Sequence, residues 1–402
     1  MARQRFISTQ TTMIALVAGW LSAAPALAQQ SDDEGGLQAN VGLHFDYDTN
    51  IFDSGDDDFE SWITRLSPDF LLSSTPGKRQ FSAQYVGDYG KYSKSPDDDY
   101  EDHLLTGSGL FQTGSRGLLD VSAAFEQGHD RRGAGSTQGF PPDSPLFPSE
   151  PDEFERIGWA VEYTHGRKDA RGRLEFSVGE NALEYSNNRD RTQFFDRDDK
   201  FASARLTIGL QERSSFVVEA RYTNTDYDVD RPGGSLTGDN WRALVGFTWE
   251  ATAKTEGSIR VGAQQRSFDD PARETTDTTS WDVAFRWSPR EYSHFDFVTT
   301  RENEETIGGG NFIDRSSYGV SWTHEWAIGL ESVLSWDRRE DDFVGTNREE
   351  DKSETYFGLR LPQGERVLWE AGVSHRDRNS TIATLEFEGM LYTIGVNFQL
   401  TR

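Results

Sequence analysis

The sequence has no cysteine and, beyond its N-terminal segment, no long apolar run. Without a thiol there is nowhere to attach a lipid, so a lipoprotein is excluded. The lack of cysteine also fits a protein exported to an oxidising compartment. A membrane-crossing helix needs roughly 20 consecutive apolar residues, and no later stretch comes near that. The mature chain is therefore soluble, or it crosses a membrane by strands. Hydrophobic residues are only 35% of the total, low for a globular domain. Together with a net charge of −27 this would indicate disorder, but aromatics reach 12% and fall in regular alternation. The acidic balance repels phosphates and disfavours a nucleic-acid partner.

Catalytic signals are equally sparse. There are seven histidines, and none sits in a nucleophile motif. His129 neighbours Asp130, but no serine is tied to it by sequence. Gly308-Gly309-Gly310 opens no helix, so it makes no phosphate cradle. No catalytic residue, metal site or cofactor is expected.

What is present begins with a secretory signal. Arg3 and Arg5 precede the apolar run Met13 to Leu27, and Ala26-Leu27-Ala28 is a small-x-small cleavage site. Residues 1–28 are the expected signal peptide, with the mature start at Gln29 and a short periplasmic segment over 29–36. So few residues before the first strand leave no room for a plug domain.

Ser280 to Glu304 shows the unit from which the rest is built. Trp281, Val283, Phe285 and Trp287 alternate with Asp282, Ala284 and Arg286, the period of a strand with one apolar and one polar face. Ser288-Pro289-Arg290-Glu291 breaks the run, because proline fixes φ and offers no amide to a ladder. Phe295 and Phe297 then resume against His294 and Asp296. Large aromatics near the ends of the apolar face, opposed by charges, are the pattern of a barrel with lipid outside and water inside. About 18 such segments run from Leu37 to Leu400, or about 16 if one hairpin merges, and bacterial barrels have even numbers. The expected fold is all-β: one antiparallel up-and-down outer-membrane β-barrel over residues 37–402.

The connections alternate in length. Short ones include Thr75-Pro76-Gly77-Lys78, Gly114-Ser115-Arg116-Gly117 and Pro362-Gln363-Gly364-Glu365; long ones include Asp48 to Asp58, Gly128 to Pro151 and Asp341 to Lys352. Short periplasmic turns and long external loops are what such barrels show. The long loops carry acidic runs such as Asp97-Asp98-Asp99 and Glu349-Glu350-Asp351. These are either solvated loop tips or carboxylates bridged by divalent cations to anionic lipopolysaccharide. No run has the spacing of a dedicated calcium loop.

If the apolar face meets lipid, its neighbours line a lumen. The expected pore-lining set is Arg156, Glu162, Arg173, Glu175, Arg221, Arg242, Arg260, Asp282, Arg286, Asp337, Arg360 and Arg376. A wall of mixed sign passes polar solutes without acting as a one-sign filter; cross-strand ion pairing that only stiffens it is a compatible reading. The third external loop, Gly128 to Pro151, is the longest. It carries Asp130, Arg131 and Arg132, then the proline-rich FPPDSPLFPSEPD with Asp143. Prolines lower the entropy lost on ordering, so this loop is expected to fold inward as a constriction; a plain surface loop is the alternative.

The final strand places Met390, Tyr392, Ile394, Val396, Phe398 and Leu400 on one face. It resembles the C-terminal signal read by the barrel assembly machinery, except that Thr401 and Arg402 follow it.

Several pieces together carry a family resemblance: Tyr47-Asp48-Thr49-Asn50-Ile51-Phe52, Arg65-Leu66-Ser67-Pro68, Gly128-His129-Asp130-Arg131-Arg132-Gly133, Tyr222 to Asp228, Trp249-Glu250-Ala251-Thr252-Ala253, Trp287-Ser288-Pro289-Arg290 and Trp322-Thr323-His324-Glu325-Trp326. In this order they resemble the putative beta-barrel porin 2 family, from about Leu37 to Leu400. Members often accompany exopolysaccharide synthesis and export genes. The resemblance implies outer-membrane lipid and lipopolysaccharide as surroundings, with an exopolysaccharide chain and periplasmic export machinery as partners. Passage of exopolysaccharide is the leading expectation. A general small-solute porin and a structural barrel with a closed lumen are the alternatives.

Overall fold

A computed structural model describes residues 35–401, apart from 56–58, 141–143, 145–146, 168–169, 212 and 253. The expected signal peptide, the start at Gln29 and Asp143 lie outside the described residues.

Eighteen strands form one antiparallel sheet that closes on itself. In chain order they are β1 (Gly36–Asp48), β2 (Ser61–Ser73), β3 (Arg79–Tyr92), β4 (Tyr100–Thr113), β5 (Gly117–Asp130) and β6 (Asp152–His165). β7 (Gly172–Tyr185), β8 (Arg197–Gln211), β9 (Ser214–Tyr227), β10 (Gly238–Thr252), β11 (Thr255–Phe268) and β12 (Thr276–Arg290) follow. β13 (Ser293–Glu304), β14 (Phe312–Glu325), β15 (Glu331–Val344), β16 (Glu349–Gln363), β17 (Val367–Ser380) and β18 (Phe387–Gln399) complete the ring. Each strand pairs with its neighbours in sequence, and β1 pairs with β18. The residues after β18 help seal that seam: Leu400 donates its amide to the Ala39 carbonyl at 2.7 Å, and the Ala39 amide donates to Thr401 Oγ1 at 2.8 Å.

Period-two alternation sorts the side chains as the sequence implies. Trp62, Phe81, Trp241, Phe247, Val261 and Ile394 lie between 51 and 56% exposed, whereas Arg266, Asp341 and Glu370 on the opposite face are buried. A soluble protein does not expose an apolar surface this extensive. Apolar outside and charged inside is the inversion that a lipid solvent demands.

Three prolines sit inside strands, Pro68, Pro289 and Pro362, the last one residue from the end of β16. The chain does not turn at Ser288 as its sequence suggests; β12 runs on to Arg290, with a register shift between Trp287 and Arg290. Pro289 lies in that irregularity, where no ladder amide is needed. Pro68 in β2 falls in a gap of the β2–β3 ladder, which passes from Leu66↔Tyr89 to Asp69↔Val86. The loop expected over Asp341 to Lys352 shrinks to 345–348, because β15 and β16 extend into it.

Candidate functional site

The polar face carries chains of ion pairs that run around the wall. Arg173 pairs with Glu175, and Arg205 lies 3.9 Å from Glu175 and 2.8 Å from Glu219. Arg260 bonds Glu219 at 2.7 Å and Asp282 at 2.6 Å. This chain joins β7 to β12. A second joins β15 to β1: Arg360 lies 2.9 Å from Glu331 and 3.3 Å from Glu370, and Glu370 meets His44 at 3.4 Å.

Glycines make these reaches possible. Arg260 on β11 contacts β9 by passing β10 beside Gly246, its directly opposed residue. Arg242 on β10 bonds Ser280 on β12 at 2.7 Å, across β11 at Gly262. His44 lies over Gly395 of β18 on its way to β17, and Arg376 passes Gly389 to bond Asp48 at 2.8 Å. A side chain on the intervening strand would block each path. The cations lie along the wall instead of projecting across the interior.

The expected pore-lining residues all occupy this face. Arg156 pairs with Glu126 at 2.8 Å, and Arg286 with Asp296 at 2.6 Å. Arg173, Glu175, Arg242, Arg260, Asp282, Arg360 and Arg376 belong to the pairings above. Glu162 faces inward on β6 opposite Asp120, and Asp337 stands opposite Gly319. Arg221 packs over the Phe201 ring, 4.7 Å from its centroid.

At the long-loop end, two loops are bound across the rim. The third loop, L3 (131–151), is tied to its neighbours. Arg131 reaches Asp53 of L1 (49–60) at 3.1 Å, and the Asp53 charge raises the Arg131 pKa. Arg132 bonds Asp98 of L2 (93–99) at 2.5 Å and the Pro148 carbonyl at 3.2 Å, its guanidinium held between the Phe52 and Phe147 rings. Asp130, the last residue of β5, accepts from Tyr185 at 2.7 Å. L3 then reaches the far rim: Gln138 bonds Arg348 of L8 (345–348), and Gly139 packs on Leu385 of L9 (381–386). L3 is thus tied to L1 and L2 on its own side and to L8 and L9 across the rim.

L7 (305–311) enters from the other side, which sequence reasoning missed. Arg231 of L5 (228–237) donates to the Thr306 carbonyl at 2.6 Å and to the Gly308 carbonyl at 2.7 Å. Burial lowers the Arg231 pKa, with Tyr227 and Glu305 opposing. Glu305 accepts from Tyr227 at 2.8 Å and lies 3.0 Å from Arg266. Ile307 packs against Phe154, Leu183, Tyr185 and Phe195. Arg348 links both loops, bonding L3 while standing beside Gly308 of L7. The only sequence signal was the glycine run 308–310, whose exposed carbonyls and lack of side chains suit close packing.

The wall parts where these loops leave it. The β4–β5 ladder stops at His103↔Gln127 and the β12–β13 ladder at Trp281↔Arg301, short of the strand ends. These two seams adjoin L3 and L7 and lie nearly opposite in the ring of 18. Among the described residues, no group of three or more His, Cys, Asp or Glu is placed to hold a metal ion.

The barrel is similar to outer-membrane porins of known structure. OpdK of Pseudomonas aeruginosa, solved with vanillate, matches at TM-score 0.51 and 13% identity, over 90% of this chain and 98% of that one. A BenF-like porin from Pseudomonas fluorescens Pf-5 matches at TM-score 0.51 and 11% identity, over 92% and 100%. OccK2 (OpdF) of P. aeruginosa, solved with glucuronate, matches at TM-score 0.53 and 10% identity, over 92% and 100%. At such identities the likeness is one of fold. No curated protein matches the sequence. The family model described as "Putative beta-barrel porin 2" matches residues 37–400, and family and fold together point to a channel rather than an enzyme. With nearly its whole barrel matched, the chain belongs to the putative beta-barrel porin 2 family and resides in the bacterial outer membrane.

Proposed function

We propose that this porin is a diffusion channel for small hydrophilic solutes, with L3 and L7 setting its upper size limit. A barrel of 16–18 strands is wide enough to leave an aqueous channel. The observation that carries the reading is the join at Arg348, where loops from opposite sides of the rim meet. A mouth crossed this way suits small solutes. The expected pore-lining residues would form the hydrated wall, with opposed charges close enough that no solute of one sign is held fast.

Export of an exopolysaccharide, the leading expectation from the family resemblance, has less support. A polymer would need L3 and L7 both displaced. A structural barrel sealed by its loops is the remaining reading.

Liposome swelling with sugars of increasing size tests the proposal. Small sugars should permeate, with a sharp cut-off that moves upward when 134–148 are removed. Impermeability to every sugar, before and after that removal, would leave the sealed structural barrel.

A further inference from the structure

The β12–β13 seam is an unfinished ladder. Residues 276–280 of β12 pair with β11 but have no ladder partner on the β13 side, where only the Ser280 and Thr279 hydroxyls reach across, both to Arg301. Residues 302–304 of β13 stay paired with β14 but lean over the interior. There the Asn303 amide donates to Gln264 Oε1 at 3.1 Å, and its Nδ2 donates to Asn240 Oδ1 at 3.2 Å. Both partners sit on strands beyond β12. Three polar atoms at this level are buried without a partner: Gln264 Nε2, Thr278 Oγ1 and Asn303 Oδ1. An open strand edge next to unsatisfied buried groups marks an arrangement with an alternative.

The β4–β5 seam is different. His129 stacks on Tyr100 with ring centroids 4.3 Å apart and bonds Asp102 at 2.8 Å, so side chains fill the gap and fix the L3 stem. The β12–β13 gap is bridged only at its closed end, where Ser280 Oγ donates to the Arg301 carbonyl at 2.7 Å and Arg301 donates to Thr279 Oγ1 at 2.9 Å; beyond Thr279 no bond to β13 is seen among the described residues.

We propose that β13 zips up along the free edge of β12, drawing L7 out of the mouth. Extending the existing register pairs Ser280 with Glu302, Thr279 with Asn303, Thr278 with Glu304, Asp277 with Glu305 and Thr276 with Thr306. The zipped state gains ladder hydrogen bonds and frees the crowded Gln264 and Thr278. It gives up the bonds that hold L7 inward: Tyr227 and Arg266 to Glu305, and Arg231 to the 306 and 308 carbonyls. Ladder hydrogen bonds are gained against the charged Arg266–Glu305 contact, and Asp277 comes to stand opposite Glu305, so the inward position is the resting one and the zipped state the minor one of a two-position element. Glu305 is the latch, because its carboxylate is the one charged group of L7 held by β9 and β11 among the described residues. This deepens the channel reading and rests on it.

The chain's lack of cysteine makes the test clean. Adjacent antiparallel pairs alternate between hydrogen-bonded and non-hydrogen-bonded geometry, so one of T279C/N303C and T278C/E304C suits a disulfide. Oxidation in liposomes should give an internal crosslink and raise single-channel conductance by about twofold or more, since a loop leaves the constriction. Reductant should reverse both, and E305Q should speed crosslinking. Failure of both pairs to crosslink, even with E305Q, overturns the proposal. So does a crosslink that leaves the conductance of an otherwise active channel unchanged. A crosslink in a barrel that conducts in neither state would keep the zipping motion and remove the channel reading instead.

Discussion

Arg260 on β11 bonds Glu219 on β9 at 2.7 Å, reaching past an entire intervening strand beside Gly246. That relationship states the rule of the inner wall. Inward glycines let long side chains lie flat and pair with the second strand along. The wall is cross-braced while the interior keeps its width.

Gly246→Val should break this brace. A Cβ there would stand 1.8 Å from the Ile259 carbonyl oxygen and 2.7 Å from Arg260 Cα, so backbone must move. Overpacking of this kind costs about 1–3 kcal/mol. Unfolding in urea from lipid vesicles should show the loss. Gly172→Ala, with nothing within 4 Å, should stay within about 0.5 kcal/mol of the parent.

Most of the barrel is legible in the sequence. Alternation places the strands, and turn residues separate them, because each local signal agrees with the global fold. Pro289 misled as a turn marker, since a register shift hides the missing amide inside a strand. L3 stands out in the sequence by its length and prolines. L7 was not: it is short, and its inward path follows from where the β12–β13 ladder ends. The ladder's end depends on Tyr227, Arg231 and Arg266, which lie far away in sequence. The glycine bridges share this invisibility, because second-neighbour contacts leave no periodic trace.

Arg132→Ala should loosen L3 without opening the barrel. Asp98 is 5% exposed and would lose its cation. Removing one member of a buried pair costs about 3–5 kcal/mol, felt here as local opening of the loop. Limited proteolysis should cut within 131–151 much faster while the barrel still migrates as a folded species. Arg132→Lys should rescue little, because a lysine cannot repeat the forked contact. Unchanged cleavage in the alanine variant would show that L3 is held elsewhere.

The two faces can be told apart chemically. Cysteines replacing Phe247 or Ile394 should resist a water-soluble thiol reagent in bilayers, and cysteines replacing Asp282 or Arg286 should react. The reverse pattern would shift the register by one residue throughout. Phe247→Arg should also destabilise the inserted barrel by about 2–4 kcal/mol if that position lies near the midplane, where a lipid-facing cation is most costly.

Two inner arginines separate selectivity from stability. Arg221 and Arg339 make no ion pair among the described residues, and Arg221 rests on the Phe201 ring. Arg360 instead stands between Glu331 and Glu370. Replacing any of the three by glutamine removes one positive charge from the interior, which should move the reversal potential in a salt gradient toward cation preference. The stability outcomes should differ. Arg221→Gln leaves no carboxylate bereft and should change unfolding by less than about 0.5 kcal/mol. Arg360→Gln takes the guanidinium from the buried Glu370, leaving it His44 and Asn397, and should cost about 1–3 kcal/mol. Equal stability losses would mean that the wall's ion pairs brace nothing. An unchanged reversal potential in all three variants would mean that permeating ions do not pass these residues.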